Sequence, residues 1–354
     1  MRKLVLLGGG YGGLRILQGI IQAYVPTDLK IILIDRQPYH SLKTEYYALA
    51  AGTASDQHIR VPFPQHPRLT TMYGEITAID LERKQVLLED QDPVAYDDLV
   101  IGLGSEDNYH QVPGAGQYTH SIQTMDRTRR TFQALSTLHP KSVVAIVGGG
   151  LSGVELASEL HESRPDLIIK LYDRGKSILS DFSGRLSTYV QNWFIERGVD
   201  VINESNITKV EKNILYNHDD PIPVDAVVWT AGIQPSHIVR KLDVDKDQKG
   251  RIILTPHHHI PDNPNVYVVG DCASLPHSPS AQLAEEQGDQ IVKVLYRHWK
   301  GEPFPTLPEI KLKGVLGSLG PKHGFGMMGD TALTGRIARL LKSGVLWLYK
   351  RHNA

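Results

Sequence analysis

The hydrophobic and polar positions at the start of the chain predict a strand, a tight turn and a helix, in that order. A four-residue apolar run, 4–7, leads into the glycine-rich stretch 8–13 and then into residues 14–23, which can form a helix. A second apolar run, 31–34, ends in the acidic residue Asp35. Short apolar runs bounded by turn residues are typical of buried strands. The pattern therefore predicts a β-turn-α-β unit.

The same order of apolar and glycine positions returns in the middle of the chain. An apolar run at 143–147 precedes the glycine-rich stretch 148–153, and a helix is expected to begin near Val154. A further predicted strand, 168–172, again ends in an acid, Asp173. The chain therefore contains two copies of one unit, and no other internal repeat is found.

In both copies the glycines follow the spacing G-x-G-x-x-G. The first glycine of this motif permits a tight turn, the second lets a pyrophosphate approach the backbone, and the third lets helix pack on strand. The acid that ends the next strand can accept hydrogen bonds from ribose hydroxyls. One copy alone is a weak signal, but two copies in this context predict two dinucleotide sites. The motif residues are Gly8, Gly10 and Gly13 with Asp35, and Gly148, Gly150 and Gly153 with Asp173.

Further strands are predicted outside the two units. Residues 72–88 alternate like a hairpin, and apolar runs occur at 97–102, 226–230 and 266–269. The last run precedes a predicted helix, 282–299. The fold class that follows is α/β, with two Rossmann-like dinucleotide-binding domains, the second inserted in the first, and a small C-terminal region.

Composition and charge narrow the functional classes. The 354 residues suffice for two or three domains, and a net charge of −1 gives no field that would attract nucleic acid. No apolar run reaches the roughly 20 residues that span a bilayer, and no signal peptide precedes the first strand. These features predict a cytoplasmic protein. The only cysteine, Cys272, excludes an internal disulfide and is expected to be a small buried residue.

Four segments, in order, make the chain resemble a known family. They are YDDLVIGLGS at 96–105, VVWTAGI at 227–233, VYVVGDCA at 266–273 and AQLAEEQG at 281–288. The chain resembles the type II NADH dehydrogenases of the two-dinucleotide flavoprotein superfamily, which pass electrons from NADH through FAD to a quinone at the membrane. The resemblance implies that the first unit holds FAD, that the second holds NADH, and that Asp271 contacts the flavin side.

The resemblance also sets the expected domain boundaries and cofactor residues. The FAD-binding domain is expected to comprise 1–112 and 235–308, the NAD(P)H-binding domain 113–234, and the C-terminal region 309–354. The candidate cofactor-binding residues are Gly8, Gly10, Gly13, Asp35, Arg36, Gly104, Asp271, Ala273, Gly148, Gly150, Gly153, Asp173 and Gly232.

The duplication has a chemical reason. Hydride transfer requires the nicotinamide to lie roughly 3 to 3.5 Å from flavin N5, and two copies of one nucleotide-binding unit can hold both rings together. Asp173 favours NADH, and NADPH is a second candidate because Arg174 can bind a 2′-phosphate. Because the chain has a single cysteine, the disulfide reductases and sulfide:quinone oxidoreductases are excluded as candidate functions, since they relay electrons through paired cysteines.

Lys43 and Glu155 form one candidate catalytic pair. In flavoprotein reductases of this superfamily a lysine after the second strand pairs with a glutamate at the end of the second glycine motif, beside flavin N5. The type II NADH dehydrogenases usually lack that lysine. We therefore predict a Lys43–Glu155 ion pair, where a cation would stabilise negative charge on the reduced ring. The alternative is a surface lysine and a glutamate at a favourable helix start.

The other catalytic candidates lie on the predicted helix 282–299. Gln282 and Gln287 match the family, whereas Glu286 stands where the family commonly has glutamine, which weakens the support for a quinone acceptor. The alternative is that Glu286 and its neighbour are an ordinary solvent-exposed pair on a helix, without a catalytic role. No metal site is predicted, because three consecutive histidines, 257–259, would point to alternate faces of a strand.

The end of the chain predicts an amphipathic basic helix within 331–354. Trp347 and Tyr349 flank its apolar face, as suits a lipid headgroup layer. The apolar face is expected at Leu333, Ile337, Leu340, Leu341, Val345 and Leu348, and the basic face at Arg336, Arg339, Lys342 and Lys350. The helix predicts peripheral contact with a membrane. In the alternative, its apolar face covers the protein's own core or a homodimer partner.

The combined prediction is an FAD-dependent NAD(P)H oxidoreductase that delivers electrons to a quinone at the cytoplasmic membrane face, without a cysteine relay or proton pumping. Two other functions fit the same residues. One is a soluble NAD(P)H dehydrogenase for a protein or small-molecule acceptor. The other is an NADH-binding flavoprotein that serves as a redox sensor.

Overall fold

The computed structural model describes residues 1–23, 26–329 and 331–353, which form two compact units. Unit 1 comprises Met1–Ser41, Val61–Glu106 and Gln234–Leu312, and unit 2 comprises Leu42–Arg60, Asp107–Ile233 and Lys313–Ala354. The sequence prediction set 42–60 in the first domain and 309–354 apart. The structure groups 42–60 and 313–354 with the second glycine motif instead. The predicted α/β fold class is confirmed.

The strands are β1 Arg2–Leu7, β2 Leu29–Asp35, β3 Tyr39–Ser41, β4 Arg60–Pro62, β5 Leu69–Tyr73, β6 Ile76–Asp80, β7 Gln85–Leu88, β8 Val94–Ala95, β9 Asp98–Ile101, β10 Ser105–Asp107, β11 His120–Ser121, β12 Val143–Val147, β13 Ile168–Tyr172, β14 Asp200–Ile202, β15 Ile207–Glu211, β16 Ile214–Asn217, β17 Asp220–Pro223, β18 Ala226–Trp229, β19 Ile233–Pro235, β20 His259–Ile260, β21 Asn263–Val268, β22 Gly314–Leu319, β23 His323–Met328 and β24 Thr331–Thr334. The helices are α1 Tyr11–Gln22, α2 Tyr46–Ala51, α3 Ala115–Tyr118, α4 Met125–Ser136, α5 Leu151–Ser163, α6 Gly184–Ile195, α7 His237–Lys241, α8 Ala281–Trp299 and α9 Gly335–Asn353.

Unit 1 is built around a six-stranded sheet in the order β20-β21-β9-β1-β2-β5. Neighbouring strands are parallel except at the β20–β21 edge. The central strands are nearly continuous apolar runs because both faces of the sheet are covered. Helices α1 and α8 pack on one face, and the β6-β7-β8 hairpin layer packs with the apolar cluster on the other. The carboxyl ends of β1, β2 and β21 therefore meet at one edge.

Unit 2 repeats the parallel architecture with a five-stranded sheet in the order β11-β18-β12-β13-β14. Helices α2, α4 and α5 pack together. The antiparallel sheet β22-β23-β24 follows, with α5 against β22 and α9 against β22 and β23. The C-terminal segment is therefore part of the body of unit 2. In the described part of the chain, no helix combines the length and apolar composition needed to cross a bilayer.

Candidate functional site

The first glycine loop leaves one open face. Gly8 follows β1 with φ +92°, a conformation that favours glycine, and a Cβ there would lie 2.5 Å from the carbonyl oxygen of Gly102. A Cβ on Gly13 would lie 2.0 Å from the carbonyl oxygen of Gly8, so the start of α1 packs directly on the turn. A Cβ on Gly10 would meet nothing within 4 Å. The loop is therefore closed everywhere except where a pyrophosphate would approach.

The N-terminus of α1 adds unsatisfied donors to this open face. No side chain caps the helix at Gly10, and its first turn has no acidic residue. The first amides of a helix have no intrahelical acceptors and favour an anion. These features fit the phosphates of a dinucleotide.

Asp35 and His40 hold the first glycine loop in place through hydrogen bonds to its backbone. The Asp35 carboxylate accepts hydrogen bonds from the amides of Gly9 (2.6 Å) and Gln37 (2.8 Å), and burial raises its pKa. His40 Nδ1 donates to the carbonyl oxygen of Gly9 at 2.8 Å, and its ring lies edge-on to Tyr11 at 4.8 Å between centroids. Sequence reasoning missed His40, because no motif marks a histidine five residues beyond the acid.

The second glycine loop has the same construction. Gly148 has φ +111°, and a Cβ on Gly153 would lie 1.9 Å from the carbonyl oxygen of Gly148. A Cβ on Gly150 again meets nothing within 4 Å. The Asp173 carboxylate accepts hydrogen bonds from the amides of Gly149 and Gly175, both at 2.7 Å. The two loops are thus equivalent in local geometry.

The third strand end of unit 1 gathers several candidate residues. Asp271 follows β21 in a short 3-10 turn, and Ser105 Oγ donates to its carboxylate at 2.6 Å. Gly104 has φ +65° and an open Cβ side, and buried Cys272 donates to its carbonyl oxygen with Sγ at 3.2 Å. Ala273 is buried beneath this turn. The structure therefore brings these residues of unit 1 together, and Cys272 is the small buried residue that was predicted.

Two further candidate cofactor-binding residues, Arg36 and Gly232, have different surroundings. Arg36 is largely exposed and lies 3.7 Å from Glu75 in an ion pair. Gly232 in unit 2 has φ +107°, and its carbonyl oxygen accepts a hydrogen bond from the amide of Asn108. A Cβ on Gly232 would lie 3.0 Å from Nε2 of His110.

Gln287 is fully buried and makes structural hydrogen bonds. Its Oε1 accepts from the amide of Gly270 (2.9 Å), and its Nε2 donates to the carbonyl oxygen of Val268 (3.0 Å). His258 lies 3.3 Å from the same amide and bonds to Gln290 at 2.7 Å. This network fixes the turn that carries Asp271, so Gln287 is a positioning residue in the structure rather than one with a free polar group.

Gln282 and Glu286 lie on the same helix, α8, and both are half-buried. The central residue of the histidine triplet, His258, belongs to the network around Gln287, and His259 Nδ1 donates to the carbonyl oxygen of Ile260. His257 and His259 stack with ring centroids 6.4 Å apart. No cluster of three or more metal-ligating side chains occurs in the described ranges.

Glu155 lies at the centre of a buried polar cluster in unit 2. It follows Gly153 on α5, and its Oε1 accepts a hydrogen bond from the amide of Ser318 at 2.9 Å. Lys342 Nζ forms an ion pair with the same oxygen. Lys342 also donates to the hydroxyl of Tyr47 at 2.9 Å and lies 3.9 Å from the carboxylate of Glu45. The C-terminal helix thus supplies the cation on Glu155.

The cluster has unusual protonation properties. Burial raises the pKa of Glu155 to about 7, although Lys342 favours the charged carboxylate. Burial alone would lower the pKa of Lys342, but Glu155, Tyr47 and Glu45 together hold it above its ordinary value. Burial also raises the pKa of Glu45. Glu155 is therefore a carboxyl group whose protonation changes near neutral pH, beside a lysine that stays charged.

The sequence prediction for this cluster differs from the structure in its cation. Lys43 was expected to pair with Glu155, whereas the described ion pair of Glu155 is with Lys342. Lys43 lies in the 3-10 turn before α2, and its pairing with Glu155 stays a prediction. Lys342 was missed because its separation from Glu155 is 187 residues and its local pattern indicates only a basic helix face.

The C-terminal helix α9 packs on the rest of unit 2 through a face other than its apolar one, although a packed helix is expected to bury its apolar face. Ala338 and Lys342 are buried, so α9 docks through part of the side that carries the predicted basic face. The apolar residues are exposed to between 40% and 71%: Ile337, Leu340, Leu341, Val345, Trp347 and Leu348. The alternative in which this apolar face covers the protein's own core is therefore excluded for these residues.

Comparison with known proteins gives the family context. A family profile described as pyridine nucleotide-disulphide oxidoreductase matches residues 2–288. The NADH dehydrogenase-like protein YutJ of Bacillus subtilis is 63% identical over 354 residues, the whole of both chains. A type II NADH:quinone oxidoreductase of Staphylococcus saprophyticus is 24% identical over 96% of this chain and 93% of its own. The structure of NDH2 from Plasmodium falciparum in complex with NADH has the same fold, with a TM-score of 0.84 at 17% identity, over 97% of this chain and 94% of that one.

Proposed function

Because the chain belongs to the pyridine nucleotide-disulphide oxidoreductase family, we propose that it is an FAD-dependent NADH dehydrogenase that passes electrons to a quinone. The observation that carries this proposal is the pair of equivalent glycine loops, each open only at its second glycine. The names of two relatives, NADH dehydrogenase-like protein and type II NADH:quinone oxidoreductase, support the same activity.

Unit 1 is proposed to hold FAD, and unit 2 to hold NADH. In unit 1 the amides at the start of α1 would bind the pyrophosphate, and Asp35 would bind the ribose. Asp271, positioned by Ser105 and by the network around Gln287, would contact the flavin side. In unit 2 the same roles fall to the loop at Gly150 and to Asp173. When bound, FAD supplies the chemistry that accepts hydride from the nicotinamide and releases electrons to an acceptor.

Electrons would leave without a cysteine relay. A dithiol relay requires two cysteines, and this chain contains one. Cys272 is fully buried, and its thiol donates to the carbonyl oxygen of Gly104. The proposal therefore assigns direct transfer from flavin to acceptor.

Glu155 is proposed as a group that holds and releases a proton. Reduction of a quinone to a quinol consumes two protons, and efficient proton transfer needs a group whose pKa is close to the working pH. Burial brings the pKa of the Glu155 carboxyl to about 7. Lys342 keeps its charge and would stabilise the carboxylate after the proton has left, through its ion pair with Oε1.

The exposed face of α9 is proposed to lie on an anionic membrane surface. Aliphatic side chains and Trp347 project from the helix, which also carries the exposed Arg336 and the half-buried Arg339. An apolar face bordered by cations is typical of helices that lie in the interfacial layer of a bilayer. This contact would place the protein at the cytoplasmic face, where a lipid-soluble quinone is available.

Steady-state oxidation of NADH by the holoenzyme tests the acceptor. We expect saturable turnover with menaquinone or ubiquinone analogues. Turnover with ferricyanide but not with any quinone would contradict the proposal and favour the soluble dehydrogenase. Slow reoxidation of the reduced flavin by every acceptor in stopped flow would favour the redox sensor.

A further inference from the structure

Resting on the proton-carrying role proposed for Glu155, we propose that Glu45 is a second counter-ion of Lys342 and that it thereby controls how readily Glu155 takes up a proton. Lys342 is close to both carboxyl groups. It forms an ion pair with Oε1 of Glu155, and its Nζ lies 3.9 Å from Oε1 of Glu45. All three side chains are buried within unit 2. One buried cation therefore serves two buried carboxyl groups.

Tyr47 holds the ammonium group of Lys342 near both partners. Its hydroxyl accepts a hydrogen bond from Nζ at 2.9 Å and lies 3.0 Å from Oγ of Ser318, and its ring centroid is 4.6 Å from Nζ. A hydrogen bond requires an N···O distance of roughly 2.7–3.2 Å, so a movement of Nζ by about 1 Å would bring it onto Glu45. The flexible stem of a lysine permits this movement without displacement of α9.

The charge balance of the cluster gives Glu45 its role. With Lys342 and both acids charged, the three groups carry one negative charge in excess, and an uncompensated buried charge is costly. When Glu155 takes up a proton from water, its charge changes from −1 to 0. Lys342 keeps its protons, and Glu45 becomes the anion that neutralises it. Without Glu45, the same protonation would leave the ammonium group buried and unpaired.

The surrounding charges favour Glu45 as the group that stays ionised. Burial raises the pKa of Glu45, and three cations of α9 act against burial: Lys342, Arg339 and Lys350. Burial is also the largest influence on the pKa of Glu155, where Lys342 is the opposing cation and Glu45 raises the pKa further. More positive charge therefore faces Glu45, and Glu155 is the acid that exchanges the proton. Glu45 is thus a positioning residue, which acts through Lys342.

A third buried carboxyl group borders this cluster. Glu159 lies one helical turn beyond Glu155 on α5, and burial raises its pKa. Arg339 and Lys342 favour its charged form, whereas Glu45 disfavours it. Glu159 adds to the negative charge around Lys342 and so strengthens the tendency of the cluster to hold a proton.

Infrared difference spectra of the FAD-loaded protein test this inference without turnover. The C=O band of protonated carboxyl groups is followed from pH 5.5 to pH 8.5, and the band that is lost in Glu155→Gln is assigned to Glu155. In Glu45→Gln the midpoint of that band should fall by at least about one pH unit, as expected for two strongly coupled acids. Glu45→Asp keeps the charge and should shift the midpoint less.

The matched control is Glu162→Gln, which removes an acid from an exposed position of α5. This control should keep the midpoint of the wild type. A wild-type midpoint in Glu45→Gln, or the same shift in Glu45→Gln and Glu162→Gln, would overturn the inference. An equal shift in Glu45→Asp and Glu45→Gln would assign the effect to altered packing and would overturn it as well.

Steady-state turnover separates the inference from the function on which it rests. If Glu155 supplies protons for quinone reduction, the pH above which kcat declines should move down in Glu45→Gln by the same amount as the infrared midpoint. A shifted band with an unchanged pH profile would support the inference and reject only the proton-carrying role. A wild type in which no carboxyl band assigned to Glu155 titrates in this range would overturn both.

Discussion

Lys342 shows how one distant side chain can determine the protonation of a buried acid. Lys342→Met would leave the Glu155 carboxyl without its cation, and breaking a buried ion pair costs about 3–5 kcal/mol. The pKa of Glu155, already raised to about 7 by burial, should rise further. A folded-state pKa above the unfolded one means that stability is lost as pH rises. Urea unfolding at pH 5.5 and pH 8 should therefore show a larger loss of stability at pH 8.

Two variants separate this effect from a general disturbance of α9. Lys350→Met removes a half-buried cation from the same helix and should cost far less. Adding Glu155→Gln to Lys342→Met should restore part of the stability at pH 8, because the amide has no charge to leave unpaired. A loss that is the same at both pH values would contradict the assigned ion pair.

Gly10 and Gly150 offer a matched test of the two nucleotide sites. A Cβ at either position meets no protein atom within 4 Å, so valine should be accommodated by the fold and should clash only with a bound pyrophosphate. Gly10→Val should purify without the yellow flavin absorbance. Gly150→Val should keep its flavin and lose binding of NAD⁺. Absorbance spectra and calorimetry measure the two outcomes, and a full flavin complement in Gly10→Val would reject FAD binding by unit 1.

At the scale of elements, α9 turns its apolar side outwards and should bind membranes through it. Ile337→Ser/Leu340→Ser/Val345→Ser removes exposed apolar area while leaving Ala338 and Lys342 in place. The wild type should pellet with anionic vesicles at low salt and be released at high salt, since each basic residue near such a surface contributes about 1 kcal/mol. The triple variant should stay in the supernatant with its fold intact.

Truncation of the chain after Asp330 does not test the same point. It would remove Lys342 together with the exposed face, so loss of pelleting could follow from damage to the Glu155 cluster. The triple variant avoids this difficulty. Equal pelleting of the wild type and the triple variant would reject α9 as the membrane contact. A homodimer partner would then be the candidate for covering the apolar face of α9.

The elements also show how far the sequence could be interpreted. Both glycine units were predictable because strand, turn, helix and acid lie within about 35 residues and each has a local signature. The helical period of α9 was predictable too. Which face of α9 docks was not, because Ala338 and Lys342 are recognised only by their contacts with segments far away in the chain. The helical periodicity of the sequence indicates that a helix is present. Which residues of that helix are buried depends on its tertiary packing.

At the scale of the whole molecule, buried histidines make the fold sensitive to acid. Burial lowers the pKa of His40 to about 4 and also lowers that of His258. A histidine with a depressed folded-state pKa contributes stability that is present above about pH 6.5 and is lost as pH falls towards 4. For His40 the loss is about 3 kcal/mol, from a shift of roughly 2.5 units. Glu155, whose folded-state pKa is raised, gains stability over the same pH range, so the His40 loss is measured as the difference in pH dependence between the wild type and a variant at position 40.

The variant His40→Asn checks the origin of this acid sensitivity. Asparagine can donate to the Gly9 carbonyl but does not titrate in this range, so the variant should lose less stability between pH 6.5 and pH 4.5 than the wild type. His139→Asn, at an exposed position, should behave like the wild type. An unchanged pH dependence in His40→Asn would contradict the assignment.

Each unit is assembled from three separate stretches of the chain, and the stretches alternate. A ribosome makes them in order at about 5–20 residues per second. Glu155 is therefore made roughly 10 to 40 s before Lys342, which lies 187 residues later. Throughout that interval the nascent second unit has its glycine loop but not its cation, and its carboxyl must stay hydrated or take up a proton. Translation thus sets an earliest time for the completion of this unit, and slow codons between residues 155 and 342 would lengthen the period in which the incomplete unit is exposed to proteases and chaperones.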